Sequence, residues 1–533
     1  MAVKFVKKIV PVIMIVIFCH QRYKGRMDHN PDKRENILKD RIRYAPLRDK
    51  ITDPATAARH IVDGTNVFIS GFTAGYPKMI PMELARRAEL GENFKINLYA
   101  GASTGELVDG LLSKTDIINW RRPYMSDRTM REKINQGKVS FKDDHLSRLS
   151  ALVRSGDWGK VDVAVIEAVA ITEKGHLVPT MSVGNTPTYV KYADKIIIEM
   201  SESEPRGLEG IHDIFIPEDP PYRMPIPLYR TADRIGKPFI EMNPDKVVAI
   251  LKSGEKDTCA VFQPPGEIPL RIGELILDFV RHEMKKDRLP KTLPWQAGVG
   301  DVSNALLSRF MDDDFFESVD LYSEVIQDSV LDLIDMGKIR AASASAMTLS
   351  EKARERFFKE IYRYKEKIIL RPVEISNSPE VIRRLGVIAI NTALEVDIYG
   401  HVNSTHVMGS QLMNGIGGSG DFERNGALSF MVTPSMAKNG AISAIVPMVS
   451  HVDHSEHSVD VIVTEQGLVD TRNLTPRQVA EAIIKKCAHP DYRDLLWDYY
   501  SRALHKVGGH EPHLLGEAFS FHQRFMETGD MKM

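Results

Sequence analysis

Short apolar, β-branched runs alternate with helical stretches from about residue 50 onward, and this alternation constrains the fold more than any other feature. The runs are almost continuously apolar, as is typical of strands buried on both faces of a parallel sheet. Stretches with helical spacing lie between them, at 79–90 and 104–114. We therefore predict an α/β fold with open parallel sheets; the strand-like runs of the first half are 67–72, 96–103, 161–171 and 195–200.

The second half of the chain echoes the first. A β-rich run, an acid and then Gly-His occur at 163–185 and again at 387–409, and Leu98 in LYAGAS parallels Leu321 in LYSEVI. Similar order at similar spacing indicates two related α/β domains, the alternative being a chance match of short strands. The proline-rich segment 217–227 can continue neither a helix nor a central strand, so we place the boundary between the domains there.

The amino-terminal residues 1–27 differ from the rest, because Lys and Arg without any acid flank the apolar stretch 9–19. A bilayer needs about 20 apolar residues, and no small-residue cleavage site follows this stretch. A membrane anchor or organelle-targeting segment is one interpretation; an upstream extension before a start at Met27 is the one we favour. The predicted organisation is a leader over 1–27, an N-terminal domain over 40–228, a C-terminal domain over 229–510 and a tail over 511–533.

The charge is nearly balanced, with 70 Lys and Arg against 72 Asp and Glu, so the dense basic face of a nucleic-acid-binding protein is not expected. Three cysteines lie far apart without a CxxC pair. Neither a disulfide framework nor a Cys-ligated zinc site is therefore predicted, and a reducing compartment is favoured. We expect a cytoplasmic protein that does not associate with membranes unless the leader is retained.

The loop NGIGGSGDF (414–422) is the most unusual local sequence. Its four glycines allow backbone N–H groups to approach a phosphate or an oxyanion, although a structural turn is equally consistent. No GK[ST] follows, so the loop is not a Walker A motif. A second glycine loop, QAGVGDVSNAL (296–306), opens a predicted helix with Ser303 and Asn304 in its first turn.

Glu324 stands inside the apolar β-type run LYSEVIQD, where a carboxylate is costly unless it is paired, hydrogen-bonded or neutralised. The alternative is an acid on the face of an edge strand. Ligands of open α/β sheets bind beyond the carboxyl ends of strands, where glycine loops also gather, and this favours a functional role. HVDHSEH (451–457) lacks the HExxH pattern, so its histidines are predicted to arrange a polar turn rather than bind a metal.

Several long motifs, taken in order, resemble the acetyl-CoA hydrolase/transferase family, and within it the succinyl-CoA:acetate CoA-transferases and their propionate-handling relatives. The resemblance extends from about residue 40 to about residue 510. The motifs that carry it are the 296–304 loop, YSEVIQD around Glu324, ISN (375–377), EVDIYGHVNSTH (395–406), NGIGGSGDF (414–422), PSMAKNG (434–440) and VDVIVTEQGLVDTRNLTPRQ (459–478).

The resemblance implies a two-domain CoA-transferase fold with the active site in the cleft between the domains. It implies acyl-CoA and short-chain carboxylic acids as substrates, no metal or cofactor, and a homodimer. Glu324 would be the catalytic nucleophile, and Asn377 and Gly418 the oxyanion-hole residues. The residues implied to contact CoA are Gln296, Ala297, Gly298, Asn414, Gly418 and Lys438, the last of which is alternatively an ordinary surface lysine.

In the chemistry that the resemblance implies, a glutamate carboxylate attacks an acyl-CoA and later carries CoA as a glutamyl thioester. Glu324 must be ionised to attack, and we expect hydrogen bonds in the cleft to hold it charged. The alternatives are an acetyl-CoA hydrolase that uses the same glutamate and a non-catalytic acyl-CoA-binding protein. A dinucleotide-dependent oxidoreductase is disfavoured because the acid expected about 20 residues after the glycine loop is absent. A succinate user needs a cation for the second carboxylate; the candidates are Arg230, Arg234 and Arg271.

Overall fold

The computed structural model describes residues 40–261, 264–298, 300–311 and 313–532. The leader predicted over 1–27 lies outside the described residues. Within the described ranges, no helix is both long enough and apolar enough to cross a membrane.

The first sheet consists of seven strands, β1 to β7 in chain order: Asn66–Ile69, Ile96–Tyr99, Ile118–Arg122, Ser140–Phe141, Val163–Ala168, Lys195–Ser201 and Val247–Ser253. All pair in parallel, in the spatial order β4-β3-β2-β1-β5-β6-β7. Every residue of β5 is buried, which is why its sequence is almost continuously apolar.

The second sheet consists of eight strands, β8 to β15: Trp295–Ala297, Val319–Tyr322, Ile339–Ala344, Ile368–Leu370, Ile388–Thr392, Leu428–Val432, Val461–Thr464 and Gly467–Asp470. Their spatial order is β11-β10-β9-β8-β12-β13-β14-β15. All neighbours pair in parallel except β14 and β15, which form an antiparallel hairpin at the edge.

The two sheets repeat one topology, because each of β8 to β14 occupies the place held in the first sheet by the strand seven numbers earlier. Leu98 in β2 and Leu321 in β9 therefore hold equivalent places. The Gly-His turns after β5 and β12 are also alike, since Gly175 and Gly400 have φ of 80° and 99°. The prediction of two related open-sheet α/β domains is confirmed.

Helices connect the strands of both sheets. Those of the first domain are Pro54–Ala58, Met79–Glu89, Arg128–Asn135, Leu149–Arg154 and Thr186–Tyr192, with a π-helix at Glu106–Gly110. Those that follow are Glu267–Lys285, Asp301–Met311, Asp328–Asp335, Glu351–Lys359, Ile361–Tyr364, Val373–Ser376, Pro379–Leu385, Ser419–Glu423, Pro476–Lys486, Pro490–Lys506 and Ser520–Thr528.

Shorter elements complete the described chain. The 3₁₀ turns are Ala45–Lys50, Leu146–Arg148, Arg206–Leu208, Pro244–Lys246, Lys438–Gly440 and Glu456–Ser458. The short strands outside the two sheets are Ala170–Ile171, Leu177–Val178, Val325–Ile326, Ala346–Met347, Glu395–Asp397, Val402–Asn403, His406–Val407, Gln411–Leu412, Met436–Ala437, Ile442–Ser443 and Ile445–Val446.

The proline-rich segment 217–227 lies within the connection from β6 to β7, not at the end of the first sheet. β7 pairs with β6 along its length, so the first sheet continues past residue 228, where the sequence analysis places the domain boundary. Prolines mark only where a helix or a central strand stops, and this segment instead crosses to the second domain. There Ile226 and Leu228 are buried in a cluster with Tyr322 of β9.

The two domains share one continuous apolar core, which includes residues of both sheets such as Ile166 and Ile390. The predicted tail packs on the second domain rather than extending from it. Phe521 and Met531 are buried there, and the Nε2 atom of His522 lies 2.8 Å from the Oε2 atom of Glu395. The relative position of the domains therefore rests on packed side chains, and the cleft between them has defined walls.

Candidate active site

Glu324 follows the carboxyl end of β9, two residues after Tyr322. Because β9 lies between β8 and β10, the alternative of an acid on an edge strand is wrong. The backbone carbonyl of Glu324 accepts hydrogen bonds from the N–H groups of Ser345, at 2.8 Å, and Ala346, at 3.1 Å, which follow β10. The end of the adjacent strand therefore fixes the backbone of Glu324 beyond the carboxyl ends of the strands, which is where open α/β sheets bind their ligands.

Asn377 caps the short helix Val373–Ser376 and is fully buried. Its Nδ2 atom donates a hydrogen bond of 2.5 Å to the Oε1 atom of Glu324. Its Oδ1 atom accepts a hydrogen bond of 2.9 Å from the hydroxyl of Ser376. The amide nitrogen therefore faces the carboxylate, as stabilisation of a negative oxygen requires.

Gly418 lies directly against the carboxyl group of Glu324 and the amide of Asn377. A Cβ atom at this position would lie 1.1 Å from the Oε1 atom of Glu324 and 2.3 Å from the Nδ2 atom of Asn377. Its φ and ψ of −97° and 2° are open to any residue, so glycine is required here for space and not for conformation. The structure thus brings Glu324, Asn377 and Gly418 together.

A cavity of about 300 Å³ lies in front of Glu324, between the two domains. The second domain contributes Gly298, Asn391, Thr392 and the glycine loop to its walls. Seven residues of the first domain form the opposite wall: Phe72, Thr73, Ala102, Ser103, Tyr124, Ser126 and Leu146. The cavity is therefore incomplete in either domain alone.

Burial raises the pKa of the Glu324 carboxyl to about 8, outweighing the hydrogen bond from Asn377, and the nearby charge of Asp421 acts in the same direction as burial. At pH 7 only about a tenth of a carboxyl with this pKa is ionised. The expectation that hydrogen bonds hold Glu324 charged is therefore wrong for this structure, because a single strong donor does not offset the loss of water.

Gly298 and Asn414, both implied by the resemblance to contact CoA, line the cavity together with Gly418. Gln296 lies within β8, where its Oε1 atom accepts a hydrogen bond of 2.9 Å from the N–H of Ile390. The carbonyl of Ala297 accepts a hydrogen bond of 3.1 Å from the hydroxyl of Ser323. Gln296 and Ala297 thus support the wall of the cavity instead of facing it.

Lys438 lies apart from these residues, in a turn after β13, with its Nζ atom 4.8 Å from the ring centroid of Phe525. The described lining of the cavity includes neither Lys438 nor the arginines considered for a second carboxylate. Among those arginines, Arg234 donates to the carbonyl of His212 at 3.0 Å, and Arg271 pairs with Glu274 at 3.5 Å.

The 451–457 segment meets the glycine loop through His454, whose Nε2 atom lies 3.2 Å from the hydroxyl oxygen of Ser419. Burial lowers the pKa of His454 to about 4, so its imidazole is neutral at pH 7 and supports the loop as a hydrogen-bonding group.

The contribution of the first domain to the cavity was not predicted from the sequence. Thr73, Ser103 and Tyr124 follow the carboxyl ends of β1, β2 and β3 and belong to three separate loops. The glycine-containing sequences SGFTAG (70–75) and AGAS (100–103) were an available signal, because strand-end loops of an α/β sheet form its binding sites.

Comparisons with known proteins agree with this geometry. Residues 35–252 match the sequence model described as the acetyl-CoA hydrolase/transferase N-terminal domain, and residues 354–500 match the model described as its C-terminal domain. A crystal structure of RipA from Yersinia pestis has the same fold, with a TM-score of 0.68 at 21% identity over 85% of this chain and 97% of that chain.

Three curated relatives align over nearly the whole chain. The succinyl-CoA:acetate CoA-transferase of Clostridium kluyveri is 47% identical over 93% of both chains. The propanoyl-CoA:succinate CoA transferase of Escherichia coli K12 is 45% identical over 89% of this chain and 97% of the relative. The acetyl-CoA hydrolase of Schizosaccharomyces pombe is 42% identical over 93% of this chain and 99% of the relative.

Proposed function

Because the chain belongs to the acetyl-CoA hydrolase/transferase family, we propose that it moves CoA between a short-chain acyl-CoA and a carboxylic acid through a thioester on Glu324. It is an enzyme of the CoA-transferase and acetyl-CoA hydrolase kind. The observation that carries the proposal is the contact of 2.5 Å between the Glu324 carboxylate and the Asn377 amide, beside a glycine that leaves no room for a side chain.

The reaction proceeds by exchange of acyl groups at Glu324. The ionised carboxylate attacks the acyl-CoA carbonyl, forming an acyl-glutamyl anhydride as the C–S bond breaks and CoA leaves as a thiolate. The thiolate then attacks the glutamyl carbonyl, which releases the first carboxylate and leaves a glutamyl-CoA thioester. A second carboxylate repeats these steps in reverse order and leaves as the new acyl-CoA. One thioester replaces another, so the cycle uses neither ATP nor a metal ion.

Each addition step places a negative charge on a carbonyl oxygen beside Glu324. The Asn377 amide and the backbone N–H of Gly418 are the donors proposed to stabilise it, each contributing about 3–4 kcal/mol to the transition state. The raised pKa makes the ionised form of Glu324 a more basic nucleophile than an exposed carboxylate. It also lowers the fraction of Glu324 that is ionised at neutral pH.

Hydrolysis of acetyl-CoA is the second candidate, since the relative from Schizosaccharomyces pombe is named an acetyl-CoA hydrolase at 42% identity. Water would resolve the same glutamyl thioester. The two functions differ in what acceptors do: transfer requires a carboxylate, whereas hydrolysis releases CoA at full rate without one.

One acyl-CoA donor assayed against acetate, propionate, butyrate and succinate tests the proposal. Wild type forms a new acyl-CoA with at least one acceptor, and Glu324→Gln loses all but about 1% of this activity because its amide is not a nucleophile. The matched control is Asp320→Asn on the same strand, whose carboxylate pairs with Arg340 at 3.1 Å. Full activity of Glu324→Gln, or acceptor-independent CoA release by wild type, contradicts transfer through Glu324.

The homodimeric state and the cytoplasmic location are also proposals. The family resemblance supports the first, and the widely spaced cysteines support the second. Light scattering of the purified chain and fractionation of the native cell test them; a monomer in solution, or recovery in a membrane or organelle fraction, contradicts them.

A further inference from the structure

The glycine loop is fastened to the first domain by three residues of one segment, Asp143, His145 and Ser147. The Oδ2 atom of Asp143 accepts a hydrogen bond from the N–H of Ile416. A Cβ atom on Gly420 would lie 2.4 Å from the Cε1 atom of His145, which shows how closely that ring packs on the loop. The first domain therefore holds the loop that carries Gly418.

Ser147 makes two hydrogen bonds to Asp421 of the glycine loop. The N–H of Ser147 donates to the Oδ2 atom of Asp421 at 3.0 Å, and its hydroxyl donates to the Oδ1 atom at 2.6 Å. Both oxygens of the carboxylate are thereby held from the first domain. Asp421 itself is buried, in the first turn of the helix Ser419–Glu423.

Asp421 also contacts the amide that serves Glu324. The Nδ2 atom of Asn377 lies 3.2 Å from the Oδ2 atom of Asp421 and 2.5 Å from the Oε1 atom of Glu324. An amide nitrogen carries two hydrogens, and these two carboxylates take one each. A flipped amide would place its oxygen against the carboxylate of Asp421, so Asp421 favours the orientation in which the nitrogen faces Glu324.

We propose that Asp421 is a positioning residue of the transfer reaction, which Ser147 of the first domain holds so that it directs an N–H of Asn377 at Glu324. The inference rests on the proposed function and extends it, because it makes the orientation of the oxyanion donor depend on a contact between the domains. Asp421 does not touch the reacting atoms; it acts through Asn377.

Because Asp421 is charged, its replacement should change the pH dependence of kcat/KM, which a loss of packing alone would not change. Tyr124 and His145 are titratable groups that face Glu324 or Asp421, besides each other. Asp143, whose pKa burial raises to about 7, also lies nearby and accepts a hydrogen bond from the N–H of Ile416 in the same loop. Burial raises the pKa of Asp421 to about 6 against the hydrogen bonds from Ser147 and Asn377, so it is ionised at pH 7 to 8. That charge raises the pKa of Glu324, and removing it must lower that pKa.

The test measures kcat, the KM for acyl-CoA and the pH dependence of kcat/KM in wild type, Asp421→Asn, Ser147→Ala and the double variant. In Asp421→Asn we expect kcat to fall by about 10–100-fold with KM within about 3-fold, since the donor is misplaced but CoA binding is not. The acid limb of kcat/KM moves to lower pH by at least about 0.5 unit.

Ser147→Ala keeps the Asp421 charge and loses one hydrogen bond, so we expect a kcat loss of about 5-fold that disappears in the Asp421→Asn background. The matched control is Asn135→Ala, which removes two other bonds between the domains, at 3.1 Å and 2.9 Å with Leu412. We expect its kcat and its acid limb to equal those of wild type. A thermal melt of each variant reports folding.

An unshifted acid limb in Asp421→Asn, multiplicative losses in the double variant, or equal losses in Asn135→Ala would overturn the inference. If Asp421→Asn does not fold, the comparison of Ser147→Ala with Asn135→Ala decides, and equal kcat in those two contradicts the role. A wild type that transfers CoA to no acceptor contradicts the proposed function instead, so the two failures are distinct.

Discussion

Substitution of Gly418 by alanine adds one methyl group where the structure has no room for it. The Cβ atom would stand 1.1 Å from the Oε1 atom of Glu324, whereas ordinary van der Waals contact begins at 3.4 Å. The carboxylate or the loop must therefore move by about 2.3 Å, from overlap to contact. The backbone accepts alanine, because φ is −97°, so we expect the variant to fold.

The expected loss follows from that displacement. A misplacement of about 1 Å at a reacting centre costs up to about 10²-fold in rate, and loss of one oxyanion donor costs about 10²–10³-fold. We therefore expect Gly418→Ala to lower kcat/KM for acyl transfer by at least about 100-fold, which is about 2.7 kcal/mol of transition-state stabilisation.

The assay measures acyl exchange from one acyl-CoA donor to the best acceptor, with thermal melts recorded in parallel. Gly266→Ala is the matched control, since Gly266 also caps a helix, has a φ of −72° and has no heavy atom within 4 Å of the added Cβ. Both substitutions replace glycine by alanine at a helix N-cap, a change that costs about 1 kcal/mol of stability. A Gly418→Ala enzyme that keeps more than about a tenth of wild-type kcat/KM would refute the steric reasoning, as would equal losses in both variants.

Two further predictions concern ionisation. kcat/KM of wild type rises with pH through about 8 as Glu324 loses its proton, and an acid limb at pH 4 to 5 would show that burial does not control this carboxyl. The Nζ atom of Lys78 lies 2.5 Å from the carboxylate of Glu167 and 2.8 Å from that of Asp257, and all three side chains are buried. Lys78→Met leaves both carboxylates buried without this cation. We expect urea titration to show a loss of about 3–5 kcal/mol in the free energy of unfolding. Arg86→Met, which breaks a half-exposed pair with Glu83, should cost less than about 1 kcal/mol, and equal losses in the two variants would contradict the role of burial.

The hydrophobic pattern predicted parallel open sheets, because strands buried on both faces cannot carry an alternating polar side. The parallel between Leu98 and Leu321 pointed to the repeated topology, and both residues lie in equivalent strands. The boundary at residue 228 shows the limit of such reasoning. Prolines report where regular structure stops, but not which sheet the chain enters next, and here it returned to the first sheet as β7.

The site was less readable from the residues themselves. Glu324 in an apolar run stood out as a costly carboxylate, but it is compatible with an edge strand until the order of strands is known, and only the family resemblance gave it the role of nucleophile. Its pKa depends on how completely two domains exclude water, which no local pattern encodes. Asp421 stood inside the glycine motif, yet its partner Ser147 is 274 positions away in sequence. Contacts of this range are set by the packing of the two domains.

Mass spectrometry of the protein quenched during turnover tests the central claim most directly. With acyl-CoA donor and no acceptor, the account predicts a mass increase equal to CoA less one water, lost on treatment with a carboxylate acceptor and absent from Glu324→Gln. Peptide mapping should place the adduct on the peptide that contains Glu324. An unmodified wild-type chain under these conditions, or an adduct that survives in Glu324→Gln, would contradict the account.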